Sequence, residues 1–182
     1  KRMRAAETSD LNKEGLTMSY TEKLIDFIGK STDCYHAVKT AKDRLDENGF
    51  TELFEGDKWE VQSGGKYYVI RNSSSIIAFE MPKKDFGAFM ICASHTDSPS
   101  FKLKPDFEIN ADGCIKLSVE GYGGMIMSSW LDRPLSISGR IVTAKNGKVE
   151  TKLVNIDRDL LVIPSLAIHM SRDINKGYEF NI

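Results

Sequence analysis

Ala88-Phe89-Met90-Ile91-Cys92-Ala93 is an unbroken apolar run, and it leads directly into Ser94-His95-Thr96-Asp97-Ser98-Pro99. A run that does not alternate reserves no face for water. It therefore predicts a strand covered on both sides, as at the centre of an α/β sheet. Pro99 has no N–H to continue a ladder, so regular structure is expected to stop there. A histidine and an aspartate then fall at the carboxyl end of a central strand, where open α/β sheets place their ligands. A neutral imidazole at that point can bind Zn²⁺. A carboxylate two residues on lies on the same face of an extended chain and can hold the ring by a hydrogen bond. Taken alone, a His-x-Asp pair is more often structural or superficial, and its spacing does not by itself make a metal site.

The chain before this run reads as helix and then strand. Ser19-Tyr20-Thr21-Glu22 forms a capping box, followed by the apolar stripe Leu24, Ile25 and Ile28, with a stop at or soon after Gly29. A second helix is expected from Thr32 or Asp33, with Val38, Ala41 and Leu45 on its buried face and Gly49 at its C-terminal cap. Lys66–Arg71 and Ser75–Glu80 are β-rich segments joined by Asn72-Ser73-Ser74. Residues 1–17 carry no apolar periodicity, so residues 1–18 are set aside as a flexible extension or a remnant of expression.

Beyond Pro99 the texture changes. Glu108–Asn110, Cys114–Glu120, Ser136–Ala144 and Val149–Val154 are strand-like, and Asp112-Gly113 and Asn146-Gly147 are hairpin signals. The first part, 19–99, mixes helix and strand; the second, 100–182, is expected to be mainly antiparallel β. Two further histidines take structural readings: His36 packs or caps on its helix, and His169 sits hydrogen-bonded in an apolar setting after Leu166-Ala167-Ile168.

Bulk properties narrow the setting. The chain has 182 residues, with 25 Lys+Arg against 26 Asp+Glu and a net charge of −1. That balance gives no reason to expect nucleic acid or an anionic membrane as partner. No apolar run is long enough to span a bilayer, and no signal peptide is evident. Cys34, Cys92 and Cys114 are odd in number and far apart, which points to a reducing cytoplasm, with Cys92 a buried inert thiol.

Several blocks, in order from about residue 20 to the end, resemble the M18 metallo-aminopeptidases (aspartyl aminopeptidase and aminopeptidase I-like). They are Cys34-Tyr35-His36-Ala37-Val38, Gly65-Lys66-Tyr67-Tyr68, Ile76-Ile77-Ala78-Phe79 and His95-Thr96-Asp97-Ser98-Pro99 with Lys102-Leu103-Lys104-Pro105. Tyr122-Gly123-Gly124, Ser129-Trp130-Leu131-Asp132-Arg133, Leu135–Arg140 and Ile163–His169 continue the series. The resemblance implies the N-terminal part of a zinc-peptidase-type α/β/α catalytic domain over 19–99. Over 100–182 it implies part of an inserted, mainly antiparallel β oligomerisation domain, truncated.

It also implies a two-zinc site, with Co²⁺ or Mn²⁺ as alternatives, in a cytoplasmic homo-oligomer of dodecameric size acting on peptides. His95 would ligate one metal, and Asp97 would be the acidic residue that orients it. The remaining ligands and a glutamate base would lie beyond Ile182. Asp132 falls in the inserted block, so an ion pair with Arg133 is expected there rather than a metal bridge; Pro134 stands where many members carry a further aspartate. Tyr122 to Ser129 is the stretch that could approach a neighbouring subunit's site. The rival reading is a non-catalytic fragment or assembly module, since one histidine and one aspartate cannot hold two metals.

Overall fold

The computed structural model describes residues 18–177. The chain divides into two compact units, the first ending at Thr96 and the second beginning at Asp97.

The first unit opens with α1, Tyr20–Lys30. The expected capping box is present: Ser19 Oγ accepts from the Glu22 amide at 3.2 Å, and Glu22 Oε2 accepts from the Ser19 amide at 2.7 Å. The apolar stripe of this helix faces solvent, with Leu24 57%, Ile25 64% and Ile28 62% exposed. Helix α2 spans Cys34–Glu47 and is capped by Asp33, whose Oδ1 accepts from the amides of Tyr35 and His36. At its other end the Gly49 amide donates to Asp46 O and the Phe50 amide to Leu45 O, a Schellman closure.

Three strands follow: β1 Thr51–Glu52, β2 Lys66–Arg71 and β3 Ser75–Glu80, in the order β1-β2-β3. β1 runs parallel to β2, and β2 pairs antiparallel with β3 from Lys66↔Glu80 to Arg71↔Ser75. The β2–β3 hairpin and its turn fall where the sequence places them; the two-residue β1 carries too little pattern to be read. The core lies here. Val38, Tyr67, Tyr68 and Val69 are buried, and Thr40 beside them donates to His36 O at 2.8 Å. Lys42 crosses from α2 to β1, donating to Glu52 Oε2 at 2.8 Å, and also donates to the Tyr68 hydroxyl on β2.

The apolar run corrects the expectation drawn from it. Residues 81–99 contain no strand, and Phe89, Met90 and Ile91 are 78%, 91% and 85% exposed. Cys92 is exposed rather than buried. A strand covered on both faces needs paired neighbours at both edges, and among the described residues none pairs with this segment. Apolar content alone cannot supply those partners.

The second unit is built from two hairpins. β4, Ser100–Ala111, pairs antiparallel with β5, Cys114–Tyr122; β6, Ser138–Lys145, pairs with β7, Lys148–Asn155. Both turns are the expected ones, with positive φ at Asp112 (47°) and Gly113 (81°) and at Asn146 (53°) and Gly147 (73°). β4 begins earlier than the sequence indicates, because a register shift between Leu103 and Glu108 carries the strand past Pro105. Proline cannot donate to the ladder, and a bulge accommodates it there. A 3₁₀ turn at Met127–Trp130 follows β5, and Trp130 meets Phe101 edge to face at 5.4 Å. Isolated bridges join Leu131 to Ile163 and Leu135 to Leu161.

Candidate functional site

The segment 94–97 leaves the first unit and enters the second. Thr96 Oγ1 donates to Ser74 O at 2.6 Å, which ties the motif to the β2–β3 turn. His95 itself is exposed, and Ser94 Oγ reaches its carbonyl at 3.3 Å. The imidazole is thus presented at the surface of the first unit on a segment anchored by its neighbour.

Asp97 opens the second unit, half-buried, and the Tyr122 hydroxyl at the end of β5 donates to its Oδ2. The ladder sets Tyr122 opposite Ser100, three residues after Asp97. Lys102 Nζ lies 3.5 Å from the centre of the Tyr122 ring, a close cation–π contact. Pro99 packs beside Gly123, where an added Cβ would sit 3.4 Å from the proline ring at φ +74°. Neither Tyr122 nor Lys102 is assigned to Asp97 by sequence reasoning.

The other candidates separate from this group. His36 Nδ1 lies 2.6 Å from Oδ2 of Asp33, the residue that caps α2, so His36 packs against the cap and does not itself form it. His169 sits in a turn and is exposed, not enclosed by the apolar residues around it, since Ile168 and Met170 on either side are themselves exposed. The expected Asp132–Arg133 ion pair is replaced by another contact. Asp132 Oδ1 accepts from the Ser165 amide at 2.9 Å, and hydrogen bonding from Ser165 holds the Asp132 carboxyl below the usual range. The reason is backbone geometry: Asp132 has φ +54°, and its own amide donates to Ile163 O, which brings the 163–165 segment to the carboxylate.

An imidazole and a carboxylate are the donor types zinc takes, but a stable site needs three or four. Among the described residues no group of three or more His, Cys, Asp or Glu side chains is placed to hold a metal ion. The described residues therefore fit zinc in kind and not in number. No helix among them is long and apolar enough to cross a membrane.

Comparison with known proteins places this geometry in context. Residues 27–182 match the family described as aminopeptidase I zinc metalloprotease (M18). A probable M18 family aminopeptidase 2 of Clostridium acetobutylicum is 48% identical over 172 residues, covering 90% of this chain and 39% of that protein. The chain spans about two fifths of the length of the curated relatives it matches. Among solved structures, the Ape4 and Nbr1 complex aligns with a TM-score of 0.83 and 41% identity over 88% of this chain and 31% of the other. The mApe1 dodecamer of S. cerevisiae aligns with a TM-score of 0.68 and 34% identity over 81% and 36%. The mixed helix-and-strand fold resembles the corresponding part of these structures, and the chain belongs to the M18 family of zinc metallo-aminopeptidases.

Proposed function

We propose that the protein is a zinc-dependent aminopeptidase that removes the N-terminal residue of peptides, with His95 ligating one metal ion and Asp97 orienting that ligand. The observation that carries this reading is the family match over residues 27–182, which includes His95-Thr96-Asp97. When bound, the metal pair polarises the scissile carbonyl and supplies an activated water. His95 offers an imidazole nitrogen on an anchored segment. Asp97 offers a carboxylate already gripped on one oxygen, the kind of support that fixes a ligand's ring and raises its basicity.

Residues 19–99 belong, on this reading, to the catalytic α/β/α domain and 100–182 to an inserted β-rich oligomerisation domain of a cytoplasmic protein. Homo-oligomerisation is supported by the yeast relative, which is a dodecamer. Activity resides in the whole protein rather than in these 182 residues alone. Two observations favour that: the chain spans 39% of its relatives' length, and fewer than three metal-binding side chains converge among the described residues.

The test is hydrolysis of N-terminal aminoacyl substrates, assayed with zinc, cobalt and manganese, for this chain and for the protein made from its complete reading frame. The complete protein is expected to cleave such substrates and the isolated chain to be inert. A complete protein inactive with all three metals would overturn the reading.

A further inference from the structure

The environment of Asp97 is more elaborate than a surface aspartate requires. Three separate restraints converge on the tyrosine that grips it. The ladder fixes Tyr122 opposite Ser100. The Lys102 ammonium sits 3.5 Å from the centre of its ring. The next residue, Gly123, lies beside Pro99, where an added Cβ would meet the proline ring at 3.4 Å, and its φ of +74° is one that a side chain would strain. The strand register, the cation and the proline therefore hold both ends of the segment from Asp97 to Ser100 against the end of β5.

A hydrogen bond from a phenol to a carboxylate is charge-assisted and directional. Bonding Oδ2 fixes the rotation of the carboxyl group and so decides how its second oxygen is presented. We propose that Tyr122 is a positioning residue for Asp97: its hydroxyl sets the orientation of the carboxylate that supports His95, and Lys102 holds the ring in place. The inference rests on the metal-ligand reading of His95. Its substance is separate, because it assigns a role to the β4–β5 hairpin, whose residues are not themselves metal ligands. Tyr122 touches neither metal nor substrate in this assignment and acts through Asp97 alone.

Tyr122→Phe keeps the ring, the ladder pairing and the lysine contact and removes only the hydroxyl. Zinc affinity of the complete protein is measured by chelator competition, with kcat and KM for an aminoacyl substrate and a thermal melt alongside. Zinc affinity is expected to fall about 10- to 100-fold, the usual cost of losing a group behind a metal ligand. kcat falls with KM nearly unchanged, and the melt is preserved. Asp97→Asn gives a loss of similar size, and the double variant is no worse than Asp97→Asn alone, since the two residues act as one unit. Lys102→Met, which spares the hydroxyl, is expected to weaken zinc by a smaller factor, on the order of two- to fivefold.

Two results overturn the proposal: wild-type zinc affinity in Tyr122→Phe, or losses from Tyr122→Phe and Asp97→Asn that simply add. His95→Ala separates this failure from failure of the underlying reading. If His95→Ala loses metal while Tyr122→Phe does not, only the positioning role falls. If His95→Ala keeps its full metal, the zinc reading itself falls.

Discussion

The Ser165 amide donates to Oδ1 of Asp132 at 2.9 Å, closing a contact across 33 positions of the chain. Asp132 sits at φ +54°, a region that aspartate and asparagine tolerate better than most residues. Hydrogen bonding from Ser165, its side chain first and its amide second, favours the charged carboxylate and lowers its pKa. A carboxyl group depressed in the folded state stabilises the fold above its unfolded pKa, near 4. That contribution is lost as pH falls through the folded value. Asp132→Asn keeps the backbone preference and an acceptor but not the charge. Its stability deficit, followed by chemical denaturation, is expected at pH 6 and should vanish in strong acid. A deficit independent of pH would mean that the charge contributes nothing.

Among the described residues, Tyr68 is the polar side chain that is fully enclosed in the core. Its hydroxyl donates to Asp46 Oδ1 at 2.7 Å and accepts from Lys42, whose ammonium also reaches Glu52. Burial pushes the Tyr68 phenol up, while the bond from Lys42 opposes that shift. The bonds to Glu52 and then Tyr68 push the Lys42 ammonium up, so it stays charged throughout the neutral range. Tyr68→Phe fills the same space and removes the hub of this network. Lys42 and Asp46 stay part-exposed and can turn to water, so the variant should lower stability by about 1 kcal/mol, the net worth of a hydrogen bond. An unchanged denaturation midpoint would show that water replaces the hydroxyl at no cost.

Asp33 performs two tasks with its two oxygens. Oδ1 caps α2 through the amides of Tyr35 and His36, and Oδ2 lies 2.6 Å from His36 Nδ1. Asp33→Ala is expected to cost about 1 kcal/mol, typical of a lost N-cap. Asp33→Ser should restore much of that loss, because its hydroxyl can still accept from the helix amides. Thermal melts of the two variants separate the capping role from the histidine contact. Equal losses in both would place the stabilisation in the contact with His36.

Local signals were legible wherever the interaction they encode is itself local. The capping box at Ser19 and Glu22, the turn at Asn72–Ser74 and both Gly-containing hairpins depend on residues within a few positions of one another. The structure repeats them nearly to the residue. The run 88–93 failed for the opposite reason: its strand reading needs partners that composition cannot name, and its side chains lie exposed.

The pairing of Tyr122 with Asp97 was hidden by the bulge at Pro105. Counting outward from Asp112-Gly113 along an unbroken ladder would set Ser100 opposite Met125, whereas the register shift places Tyr122 there. The family blocks identified His95 and Asp97 as the residues of interest. The geometry then adds what grips Asp97, which no short motif records.

The central claim is that His95 holds metal, and metal content reports on it directly. Elemental analysis of the complete protein, purified in parallel as wild type and as His95→Ala, is the decisive comparison, with a thermal melt to confirm that both are folded. Two zinc ions per subunit are expected in the wild type and the loss of one in the variant, together with most of the aminopeptidase activity. A folded His95→Ala protein that retains the wild-type metal content would contradict the account.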